Sequence, residues 1–99
     1  MRLSNEEKKA IIESIQQFDP SAKIYLFGSR VDDHQKGGDI DIFVISELLT
    51  FHQKIEILVI LEQKIGEQKI DLLIKTSKDA KEDLFVKTFL KKAILLSMV

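Results

Sequence analysis

Two aspartates one residue apart, Asp39 and Asp41, open the stretch Asp39-Ile40-Asp41-Ile42-Phe43-Val44-Ile45. A third, Asp71, interrupts the otherwise apolar run Ile70-Asp71-Leu72-Leu73-Ile74. On a strand, positions two apart project from the same face, so Asp39 and Asp41 present their carboxylates side by side. Like charges held that way repel unless something positive lies between them. A hard divalent cation with oxygen ligands meets the demand, and Mg²⁺ keeps water and substrate phosphates as its remaining ligands. An unpartnered carboxylate within an apolar strand is costly. Placed beside the first pair, Asp71 becomes a third ligand and a candidate general base.

Upstream lies Leu26-Phe27-Gly28-Ser29-Arg30, with nine residues between Ser29 and Asp39. A glycine straight after a strand lets a ligand approach the backbone closely. Ser29 adds a hydroxyl, and a helical turn starting there would aim N–H groups at anionic oxygens. Arg30 reads as a contact to phosphate or to the second strand's loop, and equally as a solvated arginine at a helix start. Asp32 and Asp33 read as loop acids, and Lys36 as a solvated lysine near the loop. His34 and His52 lack a second histidine at ligand spacing. Asp-x-Asp alone, or Gly-Ser alone, is commonplace; their order on consecutive strands carries the signal.

The elements that must position these residues follow from pattern. Ser4 and Glu7 form a capping box, and Ala10, Ile11, Ile12, Ile15 and Phe18 recur at helical spacing until Asp19-Pro20. Residues 23–27 read as a first strand, 29–33 as a short helical turn, 34–38 as a loop and 39–45 as a second strand. Residues 48–65 read as a helix stopped by Gly66, and 69–74 as a third strand. Ser77 is expected to cap one last helix carrying Ala80, Leu84, Phe85, Phe89, Leu90 and Ala93. The expected architecture is an α/β (α+β) sandwich with a small mixed sheet and helices packed on one side.

The 99 residues suit one domain spanning 1–99. Basic and acidic residues number 15 and 16, a net charge of −1, which offers no bulk attraction for nucleic acid. The chain has no cysteine, which excludes disulfides and thiolate metal sites. Neither a signal peptide nor a membrane span is expected, and a cytoplasmic location is. Residues 55–61 would form a helix apolar nearly all round, and 94–99 add apolar surface. Together they are expected to make a partner surface, in a homo-oligomer or a hetero-oligomer.

The ordered set Gly28-Ser29, Asp39-Ile40-Asp41 and Asp71 resembles the minimal nucleotidyltransferases of the DNA polymerase beta superfamily. The likeness covers residues 24–74 by motif and the whole chain by size and element order. The loop before Asp39 is one residue shorter than in many members. The resemblance implies a polymerase-beta-like fold and transfer of a nucleoside monophosphate, AMP from ATP or another nucleoside triphosphate, to an acceptor. It implies two Mg²⁺ ions held by Asp39, Asp41 and Asp71, with the nucleotide on Gly28, Ser29 and Arg30. It also implies a helical partner of the HEPN type, often a toxin-like ribonuclease that the transferase neutralises by adenylylation. The alternative is a non-catalytic nucleotide-binding module that masks the same partner by stoichiometric binding.

Overall fold

A computed structural model describes residues 1–32 and 38–97. Helix α1, Asn5–Gln16, starts on the expected capping box: Ser4 Oγ accepts from Glu7 N–H, and the Glu7 carboxylate accepts from Ser4 N–H. Strand β1, Lys23–Phe27, leads into a 3-10 turn, Gly28–Val31, where a short helical turn was expected. Strand β2 is Ile40–Ile45, so Asp39 stands just ahead of it. The expected loop at 34–38, with Asp33, lies outside the described residues except for Gly38.

Helix α2, Phe51–Ile65, begins later than expected because Thr50 and Gln53 form a second capping box. Leu48 and Leu49 instead donate their N–H groups to Ser46 Oγ in the turn before it. Strand β3 is Ile70–Lys75.

The single last helix of the sequence reading is two: α3, Ser77–Glu82, and α4, Leu84–Leu90. Asp83 separates them. Its backbone is extended, with ψ 115, and its carboxylate accepts from the N–H groups of Phe85 and Val86, starting a new helix instead of continuing the old one. Lys75 fixes that carboxylate at 3.2 Å. The cap of α3 is Thr76 rather than Ser77, which binds Glu47 instead.

Ala93 lies beyond α4, and Ile94–Ser97 forms a fourth strand, β4, that the periodicity did not reveal. It pairs antiparallel with β1, and Leu96 enters the core. The expected apolar C-terminal surface is therefore largely edge strand, with only Leu95 of 94–97 exposed; 98–99 lie outside the described residues.

The sheet order is β3-β2-β1-β4, mixed because β2 and β3 run parallel while the other pairings are antiparallel. The period of two divides β2 cleanly. Ile40, Ile42 and Val44 face α1 and α2, packing on Ile11, Ile15, Ile57 and Leu61. Phe43 faces the other way, under Ala80 of α3 and Val86 and Phe89 of α4. The long helices thus share one side as expected, and the short α3–α4 pair adds a second layer over part of the opposite face. That opposite face carries the acids. Among the described residues, no helix is long and apolar enough to cross a membrane.

Candidate active site

Parallel pairing of β2 with β3 sets Asp41 opposite Asp71, in register with Ile40 opposite Ile70 and Ile42 opposite Leu72. Registered neighbours project to the same face, so both carboxylates emerge where Phe43 and Leu73 continue the row. Antiparallel pairing on the other side sets Phe27 opposite Asp41. Asp41 is therefore flanked by an acid on one side and an aromatic ring on the other.

The chain turns sharply after Phe27. Gly28 has φ 75, and a Cβ there would collide with the Asp41 carboxylate. Glycine is required twice over, for the left-handed backbone and for the close approach. Where the chain returns, Gly38 has φ 92, and a Cβ would strike Ser29 Oγ. Ser29 is thus held against the start of the second strand by the absence of a side chain.

Two arginines lock this corner. Arg30 donates to the carbonyl oxygens of Arg2 (2.9 Å) and Gly38 (3.3 Å). Arg2 donates to those of Ser29 and Asp32, each at 3.0 Å. The guanidinium of Arg30 is thus engaged with backbone at the corner, beside the Gly-Ser turn.

The electrostatics single out Asp41. Its pKa is pushed up from an ordinary 3.8 to about 6. Burial is the largest cause, followed by the hydrogen bond it shares with Asp71 and the charges of Asp71 and Asp39. Lys69 opposes the shift. Its ammonium lies 3.4 Å from Asp39 Oδ2.

The structure therefore brings Asp41 and Asp71 together, with Asp39 nearby but ion-paired to Lys69. Among the described residues no three acidic or histidine side chains are grouped so as to hold a metal ion between them. The donor set nevertheless suits Mg²⁺: all-oxygen, acidic and open to solvent at Asp71. A cation between Asp41 and Asp71 would relieve the repulsion that helps to raise the Asp41 pKa.

Sequence reading missed three neighbours. Lys69 precedes the third strand without any pattern to mark it as Asp39's partner. Phe27 was visible only as a strand residue, yet its register places it against Asp41. Lys54, from α2, shares with Phe27, Leu58, Ile70 and Asp71 the lining of a cavity of about 310 Å³. Only the folded crossover brings α2 to that edge.

The family model described as Polymerase beta, Nucleotidyltransferase matches residues 9–98. No curated protein matches the chain. The match spans the four described strands and the Gly28-Ser29 turn, and runs through Asp39, Asp41 and Asp71.

Proposed function

Because the chain belongs to the polymerase beta nucleotidyltransferase family, we propose that it transfers AMP from Mg²⁺-bound ATP to a hydroxyl of a HEPN-type partner protein, as the antitoxin of a toxin–antitoxin pair. The observation that carries the reading is the registered pair Asp41 and Asp71 beside the side-chain-free Gly28. Two neighbouring acids, a half-buried Asp41 whose pKa is raised and an exposed Asp71 that helps to raise it, are poorly served by the chain itself. They are well served by a cation and a triphosphate.

Asp39, Asp41 and Asp71 would hold Mg²⁺, with Asp39 released from Lys69. When bound, Mg²⁺ neutralises the triphosphate and stabilises the departing charge. Ser29 and the Gly28 turn hold the distal phosphates, and Arg30 keeps that turn in place. Asp71 takes the proton of the attacking hydroxyl. A bond forms from that oxygen to the α-phosphorus, the bond to the β-phosphate oxygen breaks, and pyrophosphate leaves.

The partner reading draws on α2. Phe51, Ile55 and Val59 lie one helical turn apart and remain 76%, 45% and 50% exposed. The other side of the same helix, Ile57 and Leu61, is fully in the core. Such a stripe fits association with a helical partner or a second copy. It equally suits the second reading, a non-catalytic module that masks the partner.

Incubation with α-labelled ATP, Mg²⁺ and a co-purified HEPN-type protein separates the two. Label on the partner, lost with Asp41→Ala, is the expected result. A tight complex with no label on either chain would replace the transferase with the masking module.

A further inference from the structure

We infer that Phe85, at the free end of an aromatic row beginning beside Asp41, is the platform on which the nucleotide's base stacks. The inference rests on the nucleotidyltransfer reading above and names what recognises the uncharged end of the substrate.

The row starts in the sheet. Phe27 is the cross-strand partner of Asp41. Phe89 of α4 stacks on Phe27, with centroids 4.3 Å apart and planes at 19°, and meets Phe43 edge-on at 5.2 Å. Phe85, one turn earlier on α4, meets Phe89 at 4.9 Å and 69°. Residues four apart share a helix face, so Phe85 and Phe89 form one side of α4. Val86 and Leu90 form another, around a separate cavity that includes Ile45 at the far end of β2. The aromatic side of α4 therefore leans toward the acids, and the aliphatic side away from them.

α4 crosses this face from the β3 edge, where it is capped at the end remote from the acids, toward Phe27 at the acid end. Its first cap, Asp83, is anchored to Lys75 of β3, the strand that carries Asp71, while its end leads into β4 beyond β1. Phe85 belongs to that beginning. Unlike Val86, which is 1% exposed, Phe85 leaves 60% of its surface in solvent. The fold thus fills the row near the sheet and leaves its outermost ring uncovered.

A nucleoside triphosphate has a matching polarity. Its anionic end suits Gly28, Ser29 and the cation-binding acids. Its other end is a flat, uncharged π system, which stacks on aromatic rings whatever the base. A charged or bulky aliphatic group would gain less from that ring.

Calorimetric titration of ATP and of inorganic tripolyphosphate, each with Mg²⁺, tests this on the wild type, Phe85→Leu and Phe85→Trp. The wild type should bind ATP more tightly than tripolyphosphate. Phe85→Leu should weaken ATP about tenfold while leaving tripolyphosphate unchanged, the usual scale for one lost stacking partner. Phe85→Trp should restore the preference. Wild-type ATP affinity in Phe85→Leu, or equal weakening of both ligands, would overturn the inference. Tripolyphosphate binding with no gain from the nucleoside would overturn it too while sparing the transferase reading. Binding of neither ligand by the wild type would remove both.

Discussion

Asp19 and Asp41 sit at opposite ends of the same sheet, and the chain treats them oppositely. Asp19 is 3% exposed, yet both of its oxygens are satisfied: Ser21 N–H donates to one and Ser46 Oγ to the other. Ser46, itself buried, accepts in turn from Leu48 and Leu49. The network ties the α1–β1 turn to the turn that launches α2. Asp41 is less buried, but its hydrogen-bond partner is another acid. A deeply buried carboxylate can be a finished structural part, while a shallower one is left with a repulsion that the fold does not resolve. Depth of burial identifies neither; the identity of the partner does.

The largest expected effect breaks the comparison at the acid end. Asp41→Ala should cut nucleotidyl transfer by on the order of a thousandfold, the scale for losing one group on which a charged transition state depends. The folded state should persist, with a metal-free melting temperature equal to or above that of the wild type. Asp71→Asn should lose transfer while retaining more ATP binding than Asp41→Ala. Transfer assays paired with thermal melts check both; a collapsed melt for Asp41→Ala would make Asp41 a structural acid like Asp19.

Asp19→Ala should do the reverse. It removes the acceptor for Ser46 Oγ and for Ser21 N–H in a buried place, a loss of about 2 kcal/mol in unfolding free energy. Denaturant melts read that loss, and transfer measured well below the new midpoint should stay near wild type.

The acid end should also respond to pH. The carboxyl of Asp41 titrates near 6 in the folded chain against an ordinary 3.8, so the folded state holds that proton more tightly than the unfolded one. Stability should therefore fall as pH rises from about 4 through 6, the unfolded state releasing its proton first. Asp41→Asn should flatten that part of the metal-free profile. Added Mg²⁺ at pH 8 should raise the wild-type melting temperature more than that of Asp41→Asn.

Sequence pattern served the two ends unequally. The acids were legible because alternation in residues 39–45 and 69–74 assigns each aspartate a face, and Gly28-Ser29 marks the turn ahead of them. Parallel register, which makes Asp41 rather than Asp39 the neighbour of Asp71, is a property of two strands and appears in neither alone. Asp19 read only as a helix stop, since nothing local indicates that Ser46 will meet it. Asp83 was hidden for the opposite reason: the four-residue steps from Ala80 to Leu84 and from Phe85 to Phe89 keep helical spacing across it, so periodicity runs through the break that its cap creates. β4 is too short, and too uniformly apolar at Ile94-Leu95-Leu96, to show an alternation that would separate it from a helix end.

The smallest effect concerns Lys69, the cation at the edge of the acid end. Its ion pair with Asp39 spans 3.4 Å, but the lysine side chain is 72% exposed and that of Asp39 41%. Such pairs contribute roughly 0–1 kcal/mol, so Lys69→Gln should barely move the melting midpoint. Its electrostatic effect should be easier to see. Lys69 is the charge that opposes the raised pKa of Asp41, so removing it should push that pKa higher still and move the falling limb of the metal-free stability profile to higher pH. Carboxyl chemical shifts followed by NMR through the titration would report the change at Asp41 directly. An unmoved Asp41 titration would mean that solvent screens Lys69 completely, leaving burial and Asp71 to set the acid end alone.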